Sequence, residues 1–288
     1  KYWMLHTMMV LPMFYYVLFE ALPLYGLQIA FRDYSAADGI FGSEWLGLKH
    51  YIDFFSDWEW TKFVVNTVSI SLYSICAGFP IPVILALLIH INQKKVLKKI
   101  TQNVSYIPHF ISTVVVAGMV LSFLEADGLI TGTAAKLLGT PNTNPLMKGE
   151  NFDMIYILTC VWMSFGFDSI LYLSAISGVD QELYEAARLD GATRWQQVWY
   201  ITLPSMGPQL IFSAVMQIAG SFGVGTIVQS LAGFPTTQYS ADTLLTYMLD
   251  VGKERYEMGY ASAIAVFLFA MMLFTNFIVT RLIRRVGK

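Results

Sequence analysis

Residues 154–179 read MIYILTCVWMSFGFDSILYLSAISGV, an apolar run whose single charged side chain is Asp168. A helix needs roughly 20 apolar residues to cross about 30 Å of hydrocarbon. Helices of soluble proteins are usually shorter and carry a polar stripe. A strand of a membrane β-barrel would instead alternate apolar and polar residues over about ten positions. This stretch therefore predicts a transmembrane α-helix.

The same pattern recurs on both sides of this segment. Each stretch is long, apolar and almost free of charge, with Glu20 as the one acidic residue in the first of them. The predicted spans are residues 4–30, 63–91, 104–124, 154–179, 209–232 and 259–280. The fold class is therefore predicted to be an all-α membrane protein. Residues 1–288 would form a single transmembrane domain with six helices.

Composition excludes several other classes of protein. Apolar and aromatic residues make up 56% of the chain and charged residues 13%, which leaves too little charge to cover a soluble enzyme. The net charge of −2 gives no indication of a nucleic-acid partner. The two cysteines, Cys76 and Cys160, lie in apolar runs and cannot form a disulfide framework.

Basic residues indicate which side of the membrane each loop occupies. Lys and Arg concentrate in short cytoplasmic loops, and the clusters at 94–99 and 281–288 directly follow predicted spans. This pattern places residues 92–103 and residues 180–208 on the cytoplasmic side. Both termini are then expected to be cytoplasmic.

No sequence motif indicates a catalytic site or a nucleotide-binding site. Gly252 and Lys253 are followed by Glu254, which excludes a phosphate-binding loop. The four histidines are scattered and show no metal-ligand spacing. We therefore expect no catalytic residue, no metal and no cofactor in this chain. Energy for uphill transport would have to come from an ion gradient or from a separate subunit.

The loop at 180–208 reads DQELYEAARLDGATRWQQVWYITLPSMGP. Asp180 is placed to cap a helix over residues 181–189, and Gly191 suits the end of that helix. Small residues within the helix would fit a groove on another protein, and a surface helix without a partner is the alternative. The loop is thus predicted to begin with a short, rigid helix.

A second short helix is predicted after the first. Thr193 and Gln196 match a capping box, and Pro204 is expected to end the helix. The apolar side chains of this helix, suited to the bundle or the membrane interface, are Trp195, Val198, Trp199 and Ile201. The loop should therefore be a helix–turn–helix at the inner membrane surface.

This loop resembles the EAA loop of permease subunits in bacterial ABC importers. The matching pattern is Glu-Ala-Ala-x3-Gly-x9-Ile-x-Leu-Pro, carried by Glu185, Ala186, Ala187, Gly191, Ile201, Leu203 and Pro204. Residues 190–192 and Pro208 resemble the carbohydrate-uptake branch, the maltose-type permeases. The long aromatic outer loop at 32–62 is similar to that of the subgroup for complex oligosaccharides, which includes alginate importers.

The resemblance implies a type I ABC importer permease fold and a non-catalytic subunit of the bacterial inner membrane. Two permease subunits, often different chains, enclose one pathway, and an external solute-binding protein delivers the carbohydrate. Two cytoplasmic ATPases bind ATP and Mg and receive the EAA helix in a cleft. The coupling residues implied for this chain are Tyr184, Glu185, Ala186, Ala187, Arg188, Asp190 and Gly191.

The resemblance also implies substrate contacts midway along the spans that flank the EAA loop. A sugar requires aromatic faces and polar rims. The candidates at these positions are Trp162, Phe165, Asp168, Gln217, Ser221 and Phe222. For the phenylalanines, packing against lipid or other helices is the alternative. With an anionic sugar, Asp168 would have to be shielded or paired.

Three rival functions can be weighed on the same residues. A secondary transporter or channel would use an ion gradient, but two intramembrane carboxylates are too few for a relay. A membrane-embedded glycosyl or lipid transferase would need clustered acids, histidines or a metal motif at a membrane face. A purely structural anchor leaves the EAA spacing unexplained. The sequence therefore favours a sugar-importing permease subunit.

Overall fold

The computed structural model describes residues 3–92, 94–139, 142–223, 228, 231 and 240–286. Its early elements are α1 (Trp3–Tyr16), β1 (Arg32–Asp33), α2 (Gly39–Gly42), β2 (Glu44–Trp45), α3 (Lys49–Ser56), α4 (Trp60–Gly78), α5 (Pro80–Ile91), α6 (Lys95–Tyr106), α7 (Thr113–Leu124) and α8 (Leu129–Leu138). The later elements are α9 (Phe152–Ser177), α10 (Gln181–Leu189), α11 (Arg194–Gln197), α12 (Leu203–Ser205), α13 (Gly207–Ser221), α14 (Leu244–Lys253) and α15 (Met258–Val286).

Long apolar helical segments dominate the described residues and confirm the predicted all-α membrane architecture. Those long and apolar enough to cross a membrane, within the described ranges, are His6–Phe31, Trp60–Ile91, Thr113–Leu138, Gly149–Ser177 and Met258–Arg281. The span predicted at 209–232 begins in α13. Its residues 224–227, 229, 230 and 232 lie outside the described residues.

Prolines explain why some spans are not single α-helices. The first continues from α1 through a π-helical turn, Val17–Ala21, into a 3-10 helix, Leu22–Phe31, that has Pro23 in its first turn. The second divides before Pro80, which opens α5. Proline lacks an N–H donor and is best accommodated in the first turn of a helix.

The third span begins later than the prediction of residue 104. Val104 lies in α6, which ends at Tyr106 and is followed by a 3-10 turn, Ile107–Phe110, that contains Pro108. The membrane helix begins only at Thr113. Because Pro108 interrupts the backbone ladder, one apolar run in the sequence becomes two separate helices.

The contacts divide the chain into two units, Lys1–Val64 with Leu244–Met271 and Val65–Thr243 with Met272–Lys288. In the first unit, β1 and β2 pair antiparallel. The ring of Phe63 stacks on that of Tyr247 with centroids 4.1 Å apart. Phe54 is buried and its ring lies 5.6 Å from that of Phe267. Aromatic packing of this kind holds the predicted outer loop at 32–62 in a defined structure.

In the second unit, α9 is the central helix, against which α5 and α6 pack. Gly166 makes the contact with α6 possible, because a Cβ at this position would overlap the carbonyl oxygen of Ser105. Small residues allow such close backbone approach between membrane helices. Buried side chains of α5 and α9, including Ala86 and Tyr172, form a cluster with Met206.

Candidate functional site

The first half of the predicted helix–turn–helix is formed as the sequence indicates. The Asp180 carboxylate accepts a hydrogen bond from the Glu182 amide at 3.0 Å and so caps α10. Gly191 follows the helix with φ of +79°, in the left-handed region. The next amide, of Ala192, donates to the carbonyl of Ala187 at 2.8 Å. This αL ending satisfies carbonyls that the helix leaves open.

The capping box predicted for the second helix is also present. The Thr193 amide donates to Gln196 Oε1 at 2.7 Å, and the Gln196 amide donates to Thr193 Oγ1 at 3.4 Å. The prediction that Pro204 ends this helix is wrong. A π-helical turn, Val198–Thr202, leads into α12, which contains Pro204 and ends at Ser205. Pro204 falls in the first turn of α12, where its missing N–H is tolerated.

Side chains on the inner face fasten this segment to the end of α5. Tyr184 is 3% exposed, and its hydroxyl lies 3.0 Å from Thr202 Oγ1. Its ring lies beside that of His90, with centroids 5.6 Å apart. Arg194 Nη1 donates to the carbonyl of Ile91 at 3.2 Å. The segment is therefore joined to a membrane helix at two points.

The outer face of α10 carries the remaining candidate coupling residues. Leu189 is 90% exposed, an unusual position for a large apolar side chain at a helix end. The exposed candidates are Glu185, Ala186, Arg188, Asp190 and Gly191, and Ala187 is half-buried. Tyr184 is the one buried residue of the set. The predicted coupling residues therefore comprise exposed side chains, the half-buried Ala187 and one buried anchor.

A second candidate site is a cavity of about 590 Å³ between α9 and α13, closed on one side by Gly78 and Pro82. Two of the predicted substrate residues, Asp168 and Gln217, line it together. A Cβ at Gly78 would lie 2.8 Å from Gln217 Nε2, so a larger residue there would displace the end of the Gln217 side chain. Phe167, Phe212 and Met216 contribute apolar wall.

The polar groups of this cavity are held by hydrogen bonds. The Ser164 hydroxyl donates to the Asp168 carboxylate from one turn earlier in α9. The Tyr172 hydroxyl donates to Ser213 Oγ at 2.9 Å. Tyr172 and Ser213 were absent from the predicted set. Each lies four residues from a predicted member, on the same helix face, so helical periodicity could have found them.

The other predicted substrate residues do not line this cavity. Trp162 lines a separate apolar cavity of about 520 Å³, and Phe165 is half-buried in α9. Phe222 is 5% exposed. The Ser221 carbonyl accepts a hydrogen bond from Ser71 Oγ at 2.9 Å. Ser221 and Phe222 therefore take part in helix packing, whereas Trp162 is 42% exposed beside its own cavity.

Within the residues that the structure describes, no group of three or more His, Cys, Asp and Glu side chains could hold a metal ion. The candidate functional features are the exposed helix α10, its attachment to α5, and the cavity between α9 and α13, to which α5 contributes Pro82.

Residues 78–288 match the family of binding-protein-dependent transport system inner membrane components. The polygalacturonan/rhamnogalacturonan transport system permease protein YteP of Bacillus subtilis (strain 168) is 34% identical over 282 residues, covering 98% of this chain and 88% of that protein. A bacterial ABC transporter involved in the import of the acidic polysaccharide alginate contains a chain with a TM-score of 0.90 and 33% identity. That match covers 100% of this chain and 97% of the other.

An alginate ABC transporter in complex with an alginate pentasaccharide-bound periplasmic protein matches with the same TM-score of 0.90 and covers 96% of its chain. These similarities confirm the predicted resemblance to carbohydrate permeases of the alginate type and the type I importer fold. They support a permease subunit, non-catalytic by itself, over a gradient-driven transporter or a membrane transferase. The chain belongs to the family of binding-protein-dependent transport system inner membrane components.

Proposed function

We propose that this chain forms one half of the membrane pathway of an importer for oligosaccharides and that α10 docks in a cytoplasmic ATPase. The observation that carries the proposal is the division of α10 into an exposed outer face and an inner face anchored by Tyr184. An exposed Leu189 beside small residues suits a groove on a partner. The buried Tyr184 would hold α10 rigidly, so that the helix could transmit a movement of the ATPase to the membrane helices.

The complete assembly would contain a second permease subunit, two ATPases and an external solute-binding protein. The ATPases would bind ATP and Mg. The chain would lie in the bacterial inner membrane with both termini cytoplasmic, because the basic clusters at 94–99 and 281–288 flank membrane helices. Carbohydrate as the cargo is supported by the names of similar proteins, which describe transport of polygalacturonan and rhamnogalacturonan or import of alginate.

A continuous series of contacts leads from the docking face to the cavity. Movement of α10 would pull on α5 through the contacts of Tyr184 with His90 and of Arg194 with Ile91. Helix α5 packs on α9 and contributes Pro82 to the cavity. Because packed helices move as rigid bodies, closure of the ATPases would change the shape of the cavity walls.

The cavity has the mixed character that a sugar requires. Gln217, Ser213 and Tyr172 offer hydrogen-bonding groups, and Phe167 and Phe212 offer aromatic faces. Asp168 is oriented by Ser164. In a cavity of this kind, the amide of Gln217 would bind sugar hydroxyls.

Site-specific crosslinking tests the docking of α10. Cys76 and Cys160 are first replaced by Ser, and Ala186→Cys is then introduced in the complete importer. We expect a benzophenone maleimide, attached to the introduced cysteine by its maleimide and activated by light to insert into a nearby C–H bond, to join this chain to the ATPase. The matched control is Val96→Cys, which is 73% exposed on α6 on the same predicted side of the membrane. No crosslink from Ala186→Cys in an active complex, or equal crosslinking from the control, would contradict the proposal.

Substitution of Gln217 tests the cavity. Gln217→Ala removes the amide without filling space, and loss of one hydrogen bond of about 1 kcal/mol would raise the KM for uptake roughly fivefold. Gln217→Asn keeps an amide, and its KM for uptake should lie between those of the wild type and Gln217→Ala. ATP turnover without sugar should be unchanged. An unaltered KM in Gln217→Ala would remove this residue from the pathway while leaving the docking result intact.

A further inference from the structure

A separate polar cavity of about 430 Å³ lies between the inner face of the helix–turn–helix and the end of α5. Its walls come from the two halves of the coupling segment and from His90 and Ile91. It is separate from the sugar cavity, and it shares Arg188 with the exposed residues of α10. Its volume falls within the range of small-ligand sites.

The charged side chains that line this cavity are both cationic. They are Arg188 and Arg194, and no Asp or Glu joins them among the described lining residues. Arg194 uses one N–H on the Ile91 carbonyl. For Arg188, no side-chain hydrogen bond or ion pair occurs within the described part of the chain. Each guanidinium has five N–H donors, so most donors here are available to a ligand.

A further cation stands near the cavity. Lys98 Nζ lies 3.4 Å from the carbonyl oxygen of His90, a lining residue. Two arginines and a nearby lysine, with no carboxylate among the described lining residues, create a local field that favours an anion. Arginine pairs with phosphate through two parallel hydrogen bonds, which adds directional preference to the charge.

Exposed aromatic residues indicate the depth of the cavity in the membrane. On the same segment, Trp195 is 59%, Trp199 64% and Tyr200 80% exposed. Tryptophan and tyrosine concentrate at the headgroup level of a bilayer. On α5, Ile84 and Leu88 are 53% and 52% exposed and provide an apolar surface for acyl chains. The segment that walls the basic cavity thus carries the exposed aromatic side chains that are typical of the headgroup level, where lipid phosphates lie.

We propose that this cavity binds a phosphate ester anion and that its source is the headgroup of an anionic phospholipid. Basic pockets on the cytoplasmic side of membrane helices bind such headgroups. The phosphate would bridge Arg188 on α10 and Arg194, which already holds the end of α5. The lipid would thus strengthen the attachment of the coupling segment. This inference goes beyond the proposed function, since the lipid is not transported.

Native mass spectrometry and thermal unfolding of the delipidated importer test the proposal. Short-chain phosphatidylglycerol is titrated against phosphatidylcholine of the same chain length and against glycerol phosphate. We expect phosphatidylglycerol to bind at least about tenfold more tightly than phosphatidylcholine and to raise the unfolding temperature. Equal binding of the two lipids would overturn the proposal. Glycerol phosphate binding as tightly as the lipid would support the anion site and overturn the lipid as its source.

Variants identify the site. Arg188→Gln should weaken phosphatidylglycerol binding about tenfold, and it loses no hydrogen bond within the described structure, so the protein should still fold. The matched control is Lys95→Gln with Lys99→Gln, two exposed cations of α6 outside the cavity. Unchanged lipid affinity in Arg188→Gln, or an equal loss in the control, would overturn the assignment. The lipid-binding measurement needs neither ATP nor sugar, so it is made separately from transport and ATP hydrolysis.

Discussion

Replacement of Gly191 separates the role of the backbone from the role of contact with a partner. The residue has φ of +79°, and a Cβ built on it would meet no atom within 4 Å. Alanine therefore clashes with nothing in the chain but must adopt the left-handed conformation, which costs roughly 1–2 kcal/mol. Asparagine also carries a Cβ yet tolerates this conformation better.

Hydrogen exchange at the backbone amide of Ala192 measures the predicted conformational cost of the Gly191 substitutions. The Ala192 N–H donates to the Ala187 carbonyl at 2.8 Å across the turn that Gly191 forms. A loss of about 1.4 kcal/mol makes local opening tenfold more frequent, so hydrogen exchange at Ala192 should accelerate roughly tenfold in Gly191→Ala. Gly191→Asn should exchange within about threefold of the wild type. Exchange is measured by mass spectrometry on the purified importer.

Uptake and ATP hydrolysis in proteoliposomes supply the functional readout. If the turn acts through its backbone, Gly191→Ala should transport less sugar for each ATP hydrolysed, and Gly191→Asn should resemble the wild type. Equal acceleration of Ala192 exchange by both variants would refute the conformational reasoning. A larger transport defect in Gly191→Asn than in Gly191→Ala would indicate that a docked partner occupies the open space beside Gly191.

Two further predictions concern stability. Gly166→Ala should lower the unfolding temperature, with a cost of about 1–3 kcal/mol, because its Cβ overlaps the Ser105 carbonyl. The control is Gly118→Ala, where the Cβ meets open space. Equal unfolding temperatures of the two variants would contradict the packing argument. Tyr184→Phe removes the hydroxyl that hydrogen-bonds to buried Thr202 and should lower the free energy of unfolding by about 1 kcal/mol. An unchanged unfolding temperature would show that this hydrogen bond does not hold the segment.

Local features of this protein could be predicted from its sequence. The Asp180 cap, the Thr193 capping box and the turn at Gly191 each depend on hydrogen bonds within a few residues. Residue type at a fixed spacing is sufficient to specify them. The membrane helices are predictable for a related reason, since a backbone in lipid must satisfy its hydrogen bonds within its own segment.

Helix ends were less predictable where one apolar run contains a break. Nothing in the hydropathy of residues 104–124 separates α6 from α7, yet the chain leaves the α-helix at Tyr106 and resumes at Thr113. Pro108 marks this break, but a proline can either open a helix or end one. At Pro204 the same ambiguity led to a helix end one residue too early.

The sequence alone determined that this chain is an apolar bundle with a capped helix–turn–helix on one side, because composition and short-range hydrogen bonding decide both. Only the tertiary structure decided which candidate side chains meet. Asp168 and Gln217 share a cavity while Trp162 and Phe222 do not, and Tyr184 is the one buried residue of α10. These outcomes depend on how closely neighbouring helices approach, as at Gly166, which lies against the backbone of Ser105, far away in the sequence.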